Sequence, residues 1–208
     1  MLYDINQLPS SLKKTYTLGR SLTGADIPLI HITNHSVNKE KKNVLITGRI
    51  HPAESNSSYA LKGFLEFLCS DHKYAVEIRK MVNFYIIPMI NPDGVILGNS
   101  RTSAAGRDMN RMFIETDVEL FPEISQLKSF TGRFLRYNEI LMYYDFHGHS
   151  RKKNTFFYGP SYNLGHPNYY KCRILPKLIE KKINAFRYYS CLFAISEEKK
   201  TTGRASMF

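Results

Sequence analysis

The chain has 208 residues, of which 43% are apolar and 23% charged, a balance that suits a globular protein with a buried core and excludes a disordered polar tract. No apolar run approaches the ~18 residues of a membrane span, and the N-terminal MLYDINQLPSSLKK lacks the basic-then-apolar order of an export signal, so a cytoplasmic protein without membrane association is expected. The formal charge of +11 favours an acidic partner but does not by itself choose among nucleic acid, a membrane surface and an acidic peptide.

In chain order, SLTGADIPLIHIT (21–33) reads as a hairpin arm with a turn at Thr23–Asp26, and the polar stretch Asn34–Asn43 as a loop. VLITGRI (44–50) is continuous and β-branched, the pattern of a strand buried on both faces. Ser57–Ser70 follows as a helix, with Phe64, Leu65 and Leu68 at helical spacing. MVNFYIIPMI (81–90) is the next strand, and Asn91–Arg111 is a Gly/Asn-rich loop too long for a simple connector. Ile124–Tyr137 reads as a helix opened by Pro122–Glu123, and ILMYYDF (140–146) as a second buried strand. A short strand is expected at Phe156–Tyr158, a helix at Ile174–Phe186, a strand at YYSCLFAI (188–195), a turn at EEKKTTG (197–203), and the start of an incomplete strand at Ala205–Phe208. Such alternation predicts an α/β fold, a mixed twisted sheet flanked by helices, with sites gathered at strand C-terminal ends. Cys69, Cys172 and Cys191 are widely spaced with no C-x-x-C, so they read as reduced thiols, Cys69 and Cys191 in the core.

Two segments carry the chemistry, GRIHPAES at 48–55 and YYDFHGHS at 143–150. His51 and Glu54 are three apart just beyond a strand, so one turn can point both at a single ion. His147 lies 93 residues after Glu54 at the end of another strand, and neighbouring strands would bring the three together. Two imidazoles and one carboxylate form the ligand set of a catalytic zinc site with a position left for water. A lone His-x-x-Glu pair also occurs on exposed helices, so the long loop matters. In GRDMNR (106–111), Asp108 could accept the second N–H of a metal-bound histidine. Arg101 could stabilise an oxyanion, and Asn110 with Arg111 could hold a carboxylate. The plainer alternative is that these residues pin the loop through ordinary ion pairs.

GRIHPAES, PMINPDGV, GRDMNR and YDFHGHSRKKNTFFYG, in this order, resemble the zinc carboxypeptidases, specifically the cytosolic branch that trims glutamates from tubulin and other acidic tails. The resemblance runs from about Leu18 to Phe208. It implies an α/β sandwich around a mixed sheet, one Zn2+ per chain held by His51, Glu54 and His147, and Asp108 orienting a zinc histidine. It also implies that Arg101 polarises the scissile carbonyl, while Asn110 and Arg111 bind the terminal carboxylate of an acidic peptide or protein tail. His149, two residues from His147, is expected on the same strand face, but the resemblance gives the ligand role to His147; Asp145 on that face is left unassigned.

Two departures from the branch are expected. The chain reads as a single, C-terminally incomplete catalytic domain over residues 1–208 without the β-sandwich domain that precedes it in that branch. The general-base glutamate belongs on a strand beyond the TGR segment Thr202–Arg204, and Glu197 and Glu198 precede that segment. Three readings follow: a zinc metallocarboxypeptidase given as a partial chain and expected to be impaired without the base, a non-catalytic remnant that binds zinc or an acidic tail, and a nucleic-acid binder. The third rests on charge alone and has no recognisable reading module, so no nucleic-acid partner is expected.

Overall fold

The computed structural model describes residues 5–207, which form two compact units, one running to Gly148 and the other starting at His149. The first unit is built on a five-stranded mixed sheet in the order β1-β2-β4-β3-β5. Its strands are β1 (Lys13–Arg20), β2 (Asp26–Ile32), β3 (Lys42–Gly48), β4 (Val82–Ile87) and β5 (Ile140–Phe146). β1, β2 and β4 pair antiparallel, whereas β3 lies parallel to both β4 and β5. The mixed α/β architecture is therefore as expected. Every residue of β3 after Lys42 is buried, because it is the one strand with a parallel neighbour on each side and with both faces covered.

The helices of this unit are α1 (Ser55–Cys69), α2 (Lys73–Met81), α3 (Pro92–Ile96) and α4 (Pro122–Phe134). Leu61, Leu65 and Leu68 of α1 recur at helical spacing and are fully buried against Ile30 and Ile32 of β2, Val44 and Ile46 of β3, and Phe84 and Ile86 of β4. Each such side chain contributes about 1.5–3 kcal/mol on burial. The residues one step along each strand face the other side, where Tyr85 of β4 meets the rings of Phe130 and Phe134 on α4. Period two thus divides the sheet into an apolar face under α1 and a second face that carries Thr47, Tyr143 and Asp145.

Several elements differ from the sequence reading. β1, whose KKTYTLGR is largely exposed, has no apolar alternation to reveal it and forms because the turn at Ser21–Ala25 returns β2 alongside. α2 is short and polar and was hidden between the longer elements. The long loop is partly helical: Asn91 caps α3 by accepting from the Gly94 N–H at 2.9 Å, and Asp108 caps the single 3-10 turn Met109–Arg111 by accepting from the Asn110 N–H.

In the second unit, helix α5 spans Asn168–Glu180 rather than 174–186, since Pro167 and Asn168 open it and Pro176 is accommodated inside it. The expected strand at 188–195 instead opens on a 3-10 turn at Tyr188–Ser190, and its pairing with 155–158 is the isolated bridge between Tyr158 and Leu192. The last segment is helical: α6 (Gly203–Ser206) closes on Thr202, whose carbonyl accepts from the Ala205 and Ser206 N–H groups. This replaces the expected start of a strand at 205–208, of which Phe208 lies outside the described residues. Cys69 is buried, while Cys172 and Cys191 are half-buried, and all are free thiols.

The turn between β1 and β2 is fastened by two buried carboxylates. Asp93 of α3 accepts from Ser21 Oγ at 2.5 Å and Thr23 Oγ1 at 2.7 Å, and Glu123 of α4 accepts from the Leu22 N–H at 3.0 Å. Glu123 Oε2 has no hydrogen-bond partner. Burial, reinforced by the Asp93 carboxylate, raises the Glu123 pKa against the pull of the backbone donors. The folded chain thus binds more protons at this group than the unfolded chain does above the ordinary glutamate value of about 4.3, so its contribution to stability falls as pH rises through the folded pKa. Glu123→Gln removes that loss. Denaturant melts at pH 5 and pH 8 are expected to show the variant gaining stability relative to the unsubstituted chain as pH increases; parallel pH profiles would contradict this.

Candidate metal centre

β3, β4 and β5 run in the same direction, with Gly48 opposite Phe146 and Thr47 opposite Ile87. The chain therefore leaves all three strands on one edge of the sheet, where their following turns must share space. Beyond β3, Arg49 adopts a left-handed φ of 54°, an uncommon state for a residue with a Cβ. Its guanidinium secures the turn by donating to the Pro52 carbonyl at 2.7 Å and to Ser58 Oγ at 2.7 Å. Asn91 donates to the Ile50 carbonyl at 3.0 Å, and the Ala53 N–H donates to the Ser100 carbonyl. His51 and Glu54 are thereby held by both the turn and the long loop.

His147 follows β5 directly. His51 Nδ1 lies 2.8 Å from Glu54 Oε1, His147 Nδ1 lies 3.1 Å from Glu54 Oε2, and the two Nδ1 atoms are 3.2 Å apart. Among the described residues these three form the group of side chains that could hold a metal ion. Zinc–nitrogen bonds of about 2.0–2.1 Å in a tetrahedron separate ligands by roughly 3.3 Å, so the donor atoms are already close to the spacing of three corners. Glu54 is positioned from behind by the Gly148 N–H at 2.6 Å. A Cβ at Gly148 would approach Asn56 Oδ1 to 2.7 Å and Glu54 Cγ to 3.1 Å, which is why this position has no side chain.

The far nitrogen of each imidazole meets a carboxylate. His51 Nε2 is 3.1 Å from Asp108 Oδ1, and His147 Nε2 is 2.6 Å from Asp145 Oδ2. This is the arrangement that fixes tautomer and ring orientation in metal-binding histidines. The site thus fits zinc by donor type, donor spacing and outer support.

Asp108 also collects the loop. Arg101 Nη2 approaches its Oδ2 at 2.8 Å and Arg111 Nη1 at 3.8 Å, while Asn110 Nδ2 lies 3.5 Å from His147 Nε2. Every candidate residue from the sequence is therefore gathered in one place. His149 is not a member of the group. β5 ends at Phe146, so strand alternation does not extend to His149, whose Nδ1 accepts from the Arg151 and Lys152 N–H groups. Asp145, left unassigned by the sequence, and Arg49 are the additions. The D-x-H spacing of Asp145 and His147 was the signal for the first, while nothing in the sequence marks the backbone state of Arg49.

Without an ion, protons hold the cluster together. Burial opposes charge on both histidines, but Asp108 and Glu54 raise His51 above its ordinary pKa, and Asp145 with Glu54 raises His147 to about 10. Conversely, burial would raise Glu54 and Asp108, but their bonds to the imidazoles hold both well below the usual carboxylate range.

A family model described as zinc carboxypeptidase matches residues 1–206. Cytosolic carboxypeptidase 2 of Homo sapiens is 41% identical over 208 residues, covering 98% of this chain and 23% of the relative. Cytosolic carboxypeptidase 3 of Mus musculus is 39% identical over 173 residues, covering 81% of this chain and 17% of the relative. The chain thus spans about a quarter or less of these curated relatives. Among solved structures, a metallo-carboxypeptidase from Burkholderia cenocepacia superposes with a TM-score of 0.81 at 24% identity, over 98% of this chain and 54% of that one, which supports the fold.

Because Asp145 and Glu54 raise the His147 pKa well above the ordinary histidine value, zinc uptake near neutral pH is expected to displace a proton. The apparent affinity is therefore expected to rise with pH, about tenfold per unit for each proton displaced. Calorimetric titration in buffers of different ionisation enthalpy should give about one or more protons released per zinc. His147→Ala should lose stoichiometric zinc and His149→Ala should keep it; zinc binding without proton release, or the reverse order of the two variants, would contradict the assignment.

Proposed function

The chain belongs to the zinc carboxypeptidase family, and on that premise we propose that it is the zinc-binding part of a metallocarboxypeptidase that removes C-terminal or branched glutamates from acidic, tubulin-like protein tails. The observation that carries the reading is the convergence of His51, Glu54 and His147, each imidazole backed by its own carboxylate. One zinc ion bound there supplies a Lewis acid and a water far more acidic than bulk water.

The remaining roles belong to the loop. Arg101 is half-exposed even while paired with Asp108, so its guanidinium is available to share the negative charge developing on a scissile carbonyl. Arg111 and Asn110 bind the substrate's terminal carboxylate, Arg111 through charge-assisted bonds. Asp108 orients His51 and keeps both arginines near the site. The net charge of +11 favours approach of an acidic tail. A general base must come from outside Glu54, Asp108 and Asp145, because each is already engaged in holding the cluster. That engagement also supports the second reading, a zinc- and tail-binding protein without turnover. Cytoplasmic residence completes the proposal: the relatives carry it in their names, and none of the described helices is long and apolar enough to cross a membrane.

The test uses the zinc-loaded 208-residue chain with a peptide ending in glutamates. Arg111→Ala should leave zinc content unchanged while weakening peptide binding by about 10- to 100-fold, the effect of losing a charged hydrogen bond, and amidating the peptide's C-terminus should weaken it similarly. Equal binding in all cases would refute carboxylate recognition. Glutamate release measured alongside bears on the two readings: release by this chain would exclude the non-catalytic one.

A further inference from the structure

The two histidines of the metal centre are supported in different ways. Asp108 behind His51 belongs to the loop and is shared with Arg101 and Arg111. Asp145 behind His147 belongs to the sheet, and its side chain is only 8% exposed. It faces Thr47 across the parallel ladder between β3 and β5. Thr47 is fully buried, and its Oγ1 lies 2.8 Å from Asp145 Oδ1 and 2.9 Å from the Tyr143 hydroxyl. Tyr143, Asp145 and Thr47 share the face of the sheet away from α1.

We propose that Thr47 and Tyr143 are positioning residues of the metal centre, forming with Asp145 a one-directional hydrogen-bond chain that fixes His147 as its Nε2–H tautomer. This rests on the zinc reading above.

The direction follows from donor chemistry. An ionised carboxylate only accepts, and threonine has one hydroxyl proton. The Tyr144 carbonyl, at 3.5 Å from Thr47 Oγ1, competes poorly with Asp145 for that proton. Thr47 therefore donates to Asp145, and its oxygen can only accept from Tyr143, whose phenol must donate. At the other end, Asp145 Oδ2 accepts from His147 Nε2 at 2.6 Å. Asn110 Nδ2, at 3.5 Å from the same nitrogen, is itself a donor and cannot replace Asp145 as acceptor. With the proton on Nε2, the Nδ1 lone pair is left facing Glu54 and His51 Nδ1, where a metal ion would take it. Thr47 thus holds the carboxylate in the rotamer that reaches His147, and Tyr143 commits the Thr47 proton to that carboxylate.

The experiment measures zinc affinity by chelator competition on the full chain, for the unsubstituted protein and for Thr47→Val, Tyr143→Phe, the double variant and Asp145→Asn. Far-UV circular dichroism and metal-free melts verify folding. Asp145→Asn should weaken zinc by about 10- to 100-fold, the usual effect of losing such a partner, because the Asn amide can donate to Nε2 and favour the wrong tautomer. Thr47→Val, which keeps the shape of the side chain, should weaken zinc by about fivefold. Tyr143→Phe should weaken it less, and the double variant should lose less than the product of the two single losses, since Thr47 and Tyr143 share one hydrogen bond. In the zinc-loaded protein, the His147 Nε2–H proton resonance should move upfield in Thr47→Val while that of His51 stays. Folded Thr47→Val with unchanged zinc affinity and an unchanged Nε2–H resonance would overturn the proposal, as would additive losses in the double variant. A folded unsubstituted chain that takes up no zinc would instead refute the metal-centre reading, and this inference with it.

Discussion

The parallel pairing of β3 with β5 is the constraint on which the site depends. It sets Gly48 opposite Phe146, so the residues that leave the two strands emerge side by side although nearly a hundred positions separate them in the sequence. No local element could bring His51 and Glu54 to His147. The pairing itself is maintained by burial, since β3 is covered on both faces and a slip of one residue would exchange Val44 and Ile46 for Leu45 and Thr47 beneath α1. The same slip would remove Thr47 from Asp145. Core packing and the geometry of the His51–Glu54–His147 group are therefore fixed by one register.

The site is also a balance of charges. Glu54, Asp108 and Asp145 lie around two imidazoles, with Arg101 and Arg111 behind Asp108. Three carboxylates so close together repel one another unless positive charge lies between them. Raised histidine pKa values are the response of the metal-free cluster, and a divalent ion offers the same compensation with more charge and fixed geometry. Protons and a metal ion would compete for the same Nδ1 positions, so the cluster suits a cation by electrostatics as well as by donor identity.

The grouping of His51, Glu54 and His147 was legible in the sequence because its spacing follows strand ends: an apolar run, then His-x-x-Glu, and later an apolar run, then histidine. The loop residues Arg101, Asp108, Asn110 and Arg111 could be read as functional because a segment of that length needs a reason to be ordered. Their mutual arrangement could not, since Asp108 meets both arginines and His51 only once the loop folds back on the β3 turn. Asp145 was visible as a D-x-H pair, but its link to Thr47 depends on strand register, which no single segment encodes. β1 and α2 were missed because their residues are mostly polar and owe their structure to the neighbours they pair with. The second unit is the least legible: its segments join through isolated bridges, and the residues that look like a strand at 188–195 begin with a turn.

If His51, Glu54 and His147 hold zinc, its protein donors are nitrogen and oxygen alone. X-ray absorption spectroscopy of the zinc-loaded chain tests this most directly. The expected spectrum has two imidazole nitrogens with Zn–N near 2.0–2.1 Å, light oxygen scatterers in the remaining positions and no sulfur. A sulfur shell near 2.3 Å, or scattering from a single imidazole, would contradict it.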